Sequence, residues 1–256
     1  MKRKRHLIYI AVLLALISLA VVTGRRFLFS RLVPARSLTL VSGQPYSMMQ
    51  VTRAQDKDGR KRITERRTVA VDRRGTEAWI SVYPEHSALG PTRRIIRADG
   101  QVVMALEKLS LRMTQFMKVE VLGPEAAARH MGAPACRAAY EKDLGPAVLA
   151  GVNVRGAVFE TVQKMRTTEW RAPGYACLSL AVLHEKWLDG RWQFLAESRT
   201  VWFRPGDPDP RFFDETWFQT MKETSPAQLI RRIAEATGAN PADCPACFNQ
   251  AAIEEM

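Results

Sequence analysis

Residues 183–196 read Leu-His-Glu-Lys-Trp-Leu-Asp-Gly-Arg-Trp-Gln-Phe-Leu-Ala, two strand-type runs joined by Asp189-Gly190. A two-residue hairpin turn needs positive φ at both central positions, and Asp-Gly tolerates this at little cost. The turn fixes a register in which Leu188 opposes Arg191, Trp187 opposes Trp192, Glu185 opposes Phe194 and Leu183 opposes Ala196. The two tryptophans then meet across the strands, a contact worth about 0.2 to 1 kcal/mol over alanines. Sheet packing is reason enough for them to be there.

The same signal repeats outward from this hairpin. Asp58-Gly59 and Asp99-Gly100 are flanked by strand-type residues, and Arg73-Arg74-Gly75 reads as a three-residue turn between 68–72 and 76–83. Val69 and Val71 alternate with Thr68, Ala70 and Asp72, and Ala78, Ile80 and Val82 alternate with Trp79, Ser81 and Tyr83. Period-two alternation of this kind predicts an antiparallel meander with one buried face. Val152, Val154, Val158 and Val162 predict a further strand.

Helical signals are confined to a few places. Ala-rich 125–131 after Gly123-Pro124 reads as a short helix. Phe213, Trp217, Phe218 and Met221 recur at helical spacing, which predicts a short aromatic helix lying across the sheet. Ser225 offers an N-cap with Pro226 at the first helical position, and Leu229, Ile230, Ile233 and Thr237 follow on one face before Gly238.

The compartment is set at the other end of the chain. Lys2, Arg3, Lys4 and Arg5 precede an apolar run from Leu7 to Val22, interrupted by Ser18 and closed by Thr23, Gly24, Arg25 and Arg26. At 1.5 Å per residue, Leu7 to Gly24 reaches about 27 Å, enough for a thin hydrocarbon core. A cleaved signal peptide would use Ser18-Leu19-Ala20 as its processing site, whereas an uncleaved anchor accounts for the run continuing through Val21 and Val22. Either reading exports the remainder. The organisation expected is a leader over 1–24, a juxtamembrane linker over 25–36, an antiparallel β domain over 37–213 and a helical extension over 214–256.

The net charge is +12, and setting aside the four leading cations leaves 34 basic against 26 acidic residues. Outside the cytoplasm such an excess favours lipid head groups, acidic polysaccharide or an acidic protein surface over nucleic acid. Arg60, Lys61, Arg62, Arg66 and Arg67 head the basic cluster and are candidates for an anion-facing edge. The plainer reading is a solvated face whose charges block strand addition.

Cys136, Cys177, Cys244 and Cys247 allow three disulfide pairings, and an oxidising compartment makes structural bonds the leading reading. Cys244-Pro245-Ala246-Cys247 also admits a redox role, since Asp243 could cap a short helix and a cysteine at its start would be acidified. Zinc would need a second closely spaced pair, and Cys136 and Cys177 are far apart. His184-Glu185 lacks the partner histidine of a zinc protease, and no nucleophile elbow, phosphate loop or dinucleotide fingerprint is present. The sequence offers no catalytic residue, no metal site and no cofactor site.

One stretch carries a family resemblance. DLGPAVLAGVNVRG over 143–156, followed by two long strands and GDPDPRFF over 206–213, resembles exported bacterial lipoprotein carriers of the LolA type and the related RseB-like sensor domain. Leu144-Gly145, Gly151-Val152 and Gly156 fill the first part of the pattern, and Pro208, Pro210 and Phe213 the second; the tyrosine and proline usual after that Phe are replaced by Asp214, Glu215, Thr216 and Trp217. The resemblance implies a mainly β, α+β fold: a curved antiparallel sheet or half-barrel with helices on its concave side. With the leader, this gives a periplasmic protein held at the bacterial inner membrane. Its expected role is noncatalytic binding of a lipid-like ligand or an envelope protein under Phe213, Trp217, Phe218 and Met221. A thiol-disulfide accessory using Cys244 and Cys247, or a structural envelope component, is the alternative.

Overall fold

The computed structural model describes residues 38–237 apart from 57, 87–88, 133–135 and 139. The leader over 1–24, the linker over 25–36 and Cys244 and Cys247 lie outside the described residues. Among the described residues no helix is long and apolar enough to cross a membrane.

Fourteen strands and two α-helices make up this part: β1 (Leu38–Val41), β2 (Tyr46–Gln55), β3 (Lys61–Val71), β4 (Glu77–Val82), β5 (Thr92–Ile96), β6 (Gln101–Leu106), β7 (Leu111–Phe116), β8 (Val119–Leu122), α1 (Pro124–His130), β9 (Lys142–Leu149), β10 (Val152–Glu160), β11 (Met165–Ala172), β12 (Leu178–Leu188), β13 (Arg191–Pro205), β14 (Lys222–Glu223) and α2 (Pro226–Thr237). Twelve of the strands form one curved, unclosed sheet in the order β14-β7-β6-β5-β4-β3-β2-β13-β12-β11-β10-β9. Eleven of them form two meanders, β2 to β7 and β9 to β13, sewn together where β13 runs antiparallel to β2, and β14 adds a twelfth at the β7 edge. Between the meanders the chain makes β8, which pairs with β1 in a separate parallel ribbon. Leu40 of that ribbon packs on Ile96 and Val102.

The Asp189-Gly190 hairpin forms as expected, with φ of 52° and 77° and with Trp187 opposite Trp192, their rings edge-to-face at 5.3 Å. Its register then slips. A bulge at His184/Glu185 places Ala196 opposite His184 and Leu183 opposite Glu197, because one extra residue, Leu195, is accommodated on β13. The other Asp-Gly pairs are not two-residue turns. Asp56 folds the 56–60 loop by accepting from the Asp58 and Arg60 amides; Gly100 closes a longer turn by donating to the Arg97 carbonyl. A second hairpin of the favoured type sits at Ala150-Gly151, where φ is 49° and 79° and Leu149 opposes Val152. Val162 does not extend β10; it stands fully exposed in the turn after it.

The residues expected as one aromatic helix form two 3-10 turns, Pro210–Phe213 and Thr216–Thr220. Asp209 heads the first turn by accepting the Arg211 amide, and Asp214 divides the run by accepting the Thr216 amide, a local bond that competes with helix continuation. The strap formed by these turns packs Phe212, Phe213, Trp217, Phe218 and Met221 against Ala78, Ile95, Val103 and Ala105. It then passes beside β7 as β14, paired to Leu111 and Arg112. Beyond β14, α2 starts at Ser225, whose hydroxyl accepts from the Gln228 amide, and its Leu229 and Ile233 pack with Leu106 and Met113. Ala105 and Leu106 are neighbours in β6 and point to opposite faces. The C-terminal segment therefore wraps the β7 edge, covering one face with its aromatics and the other with α2.

Candidate functional site

The second meander leaves a groove on one of its faces. Ala147 and Leu149 of β9, Trp170 of β11 and Leu183 of β12 supply its apolar lining, with Arg199 and Glu197 of β13 at one side, and the volume is about 260 Å³. A glycine makes this shape possible. Gly156 of β10 lies opposite Trp170, and a Cβ there would come within 2.6 Å of the indole ring. Without one, the ring lies across β10 towards β9. The final glycine of the 143–156 pattern is thus a seat for an aromatic side chain.

The edge strand of the groove is held at its start by charge. Arg155 of β10 donates to both oxygens of Asp143, whose Oδ1 also accepts from the Gly145 amide at 2.9 Å. The Arg155 hydrogen bonds, helped by that amide, hold the Asp143 carboxyl down at about 2. Further along β9, Pro146 lacks an N–H, so this edge is poorly suited to accept an added strand.

Alternate residues of β11 point the other way, into a buried ionic cluster. Arg171 donates to both oxygens of Glu141, to Glu169 and to the Cys136 carbonyl, and all three side chains are at most about one-tenth exposed. Burial opposes the Arg171 charge, but the hydrogen bonds to Glu141 and Glu169 outweigh it and hold the guanidinium protonated above its ordinary range. Cys136 is bonded to Cys177 with a Cα separation of 5.4 Å, which decides the pairing for these two among the three that the sequence allowed. Disulfide and guanidinium together fasten the segment before β9 to the end of β11 and the start of β12. Closing a 41-residue separation restricts the unfolded chain by about 4 kcal/mol in the loop-entropy treatment.

The basic candidates do not share one face. Arg67 is buried and bidentate on Glu65, and its guanidinium stacks on Trp79 at 4.8 Å. Burial, then the nearby Glu65 carboxylate, push the Tyr83 phenol beside this pair up to about 12. Arg66, next along β3, is exposed on the opposite face. Arg62 is paired with Asp56, Lys61 lies over the Phe194 ring at 4.0 Å, and Arg60 is exposed in the turn.

Phe213, Trp217, Phe218 and Met221 do come together, as packing: Phe218 is 2% exposed, and Arg93 covers the Trp217 ring at 4.4 Å. His184 takes part in a bond with the Thr167 hydroxyl. Among the described residues no group of His, Cys, Asp and Glu side chains is placed to hold a metal ion. The sequence reading missed Trp170 and Leu183 as groove residues. The available signal was the glycine of β10 facing a tryptophan, legible once the two strands are put in register.

No family model matches the sequence, and no curated protein matches it. Among solved structures the chain is similar to an uncharacterized conserved protein from Thermus thermophilus, with 9% identity and a TM-score of 0.44 over 72% of this chain and 91% of that one. It is also similar to a chain of the Pseudomonas aeruginosa MucA/MucB complex, with 12% identity and a TM-score of 0.38 over 67% of this chain and 55% of that one. A LolA superfamily protein from Nitrosomonas europaea matches with 7% identity and a TM-score of 0.31 over 67% of this chain and 90% of that one. The last of these is a LolA superfamily protein, the type that residues 143–156 and 206–213 resemble. The chain spans about half the length of the MucA/MucB complex chain it matches.

Proposed function

We propose that this chain is a noncatalytic binding protein of an extracytoplasmic compartment, tethered through its leader, whose ligand places an apolar group in the Trp170 groove. The observation that carries this reading is the apolar lining of Ala147, Leu149, Trp170 and Leu183 next to a charged side of Arg199 and Glu197. At about 260 Å³ the groove falls just below the usual range for sites that enclose a whole small molecule. It suits one hydrocarbon tail of a lipid-like ligand or an apolar side chain of an envelope protein. Phe213, Trp217, Phe218 and Met221, with Phe218 closed into the core, make a poorer seat. Export is supported by the Cys136–Cys177 bond, a linkage that cytosolic thiols would reduce.

Native mass spectrometry of the protein, purified gently from its own envelope, tests the proposal. A bound lipid or polypeptide mass is expected, and it should be lost from Leu183→Asp while the disulfide stays intact. A bare chain in repeated mild preparations, or an adduct indifferent to Leu183→Asp, would sink the assignment.

A further inference from the structure

The end of the sheet where the two meanders meet carries an interaction surface of its own. Strands β2 and β13 are antiparallel neighbours, and the pairings continue through β12 and β11 to β10. The turns at 56–60, 161–164 and 189–190 therefore project from the same end of the sheet. Two of them are joined directly, since the Trp187 amide donates to the Lys164 carbonyl at 2.9 Å.

This end exposes large apolar side chains among its charges. Val162 is 100% exposed, and Leu188 and Trp187 are 38% and 37% exposed. The Trp187 ring is held edge-on to Trp192, and Arg166 lies over the Trp192 ring at 4.5 Å. Arg60, Lys164, Lys186 and Arg191 are exposed around these tips, and among the described residues none of them has an ion-pair partner. Lys61 adds a fifth cation over Phe194. Of the acids at this end, Asp56 is paired with Arg62 and Glu185 with Arg166, which leaves Asp58, Glu160 and Asp189. Unpaired positive charge is thus in excess.

We infer that this end of the sheet docks on an anionic lipid bilayer, with Val162, Leu188 and Trp187 entering the head-group layer and the lysines and arginines meeting phosphate. The chemistry on both sides matches. Tryptophan is amphipathic and settles where an apolar medium meets a wet one, and lysine can lay its stem along apolar surface while its head stays in water. Each cation near an anionic leaflet strengthens association about fivefold. Three narrow, protruding tips suit a deformable layer better than they suit a flat protein surface. The inference does not depend on the Trp170 groove.

Tryptophan quenching in the full chain tests it. The protein is reconstituted in vesicles of phosphatidylcholine, with or without phosphatidylglycerol, carrying a spin-labelled lipid whose quencher sits at head-group depth. Comparing two lipid compositions cancels whatever the leader contributes equally to both. Quenching is expected to be stronger with phosphatidylglycerol, and the excess should disappear in Trp187→Phe/Trp192→Phe, which removes the reporters. The triple change Lys164→Glu/Lys186→Glu/Arg191→Glu keeps every tryptophan and should lower quenching to the phosphatidylcholine level. Raising the salt should do the same, because the screening length falls from about 10 Å at 0.1 M to about 3 Å at 1 M. Equal quenching in the two lipids overturns the inference, as does an excess that survives either set of substitutions. Circular dichroism matching that of the unaltered protein checks that each variant is folded.

Discussion

The two meanders are both antiparallel, yet one is sealed and the other is open. The first has cover on both sides: the strap on Ala78, Ile95, Val103 and Ala105, and α2 with the β1/β8 ribbon on the opposite face. In the second, one face closes over the Arg171 cluster and the disulfide, and the other carries the Trp170 groove. Apolar alternation is present in both, so it cannot be what separates them. The difference lies in what the rest of the chain lays over each face, and residues 210–237 go to the first meander.

The contrast can be broken most forcefully at its buried points. Arg171→Met strands Glu141 and Glu169 without their guanidinium, and a loss of about 3 to 5 kcal/mol is expected for a buried pair deprived of one partner; urea unfolding followed by circular dichroism measures it. Comparing Phe218→Ala with Leu183→Ala sharpens the distinction. The former empties sealed core and should cost about 3 to 5 kcal/mol, while the latter trims a groove wall and should cost about 1 kcal/mol or less. Similar midpoint shifts for the two would mean that the groove is as closed as the core. Gly156→Ala forces a methyl into the Trp170 ring, for an expected loss of about 1 to 3 kcal/mol, and a red shift of tryptophan emission would report displacement of the indole.

The smallest effect expected is acid dependence at the edge strand. Asp143 titrates at about 2 in the folded chain against an ordinary 3.8. A depressed carboxyl contributes stability that is complete above the unfolded value and is lost as the pH falls through the folded one. The expected window is therefore about pH 4 down to 2. Arg155→Met should move the Asp143 titration, followed by carboxyl NMR, back towards 3.8. An unchanged midpoint would show that Arg155 is not what holds it.

Hairpins at Asp189-Gly190, the α2 cap at Ser225 and the meander itself were legible in the sequence, because each depends on residues close together along the chain. What escaped depends on partners far away. The bulge at His184 depends on where β13 takes up its extra residue, Leu195, against β12. Ala150-Gly151 lacks the Asn or Asp that advertises a turn, and the glycine alone supplies a weaker signal. Arg67 looked like one more surface cation until its register brought Glu65, Ser81 and Trp79 around it. At the groove, Leu144, Gly145 and Gly156 were noticed as a pattern, but their use appears only when Gly156 is set against Trp170.

The seam between β2 and β13 has a consequence for how the chain is made. Thr52 and Ser198 touch across it although 146 positions separate them. Synthesis delivers the first meander long before its neighbour, so β2 waits as an unsatisfied border, the kind of surface on which nascent chains stick to one another. Speed of completion is then governed by one late, long-range union, and a ribosome that stopped before Arg191 would release a product with β2 still open to strangers.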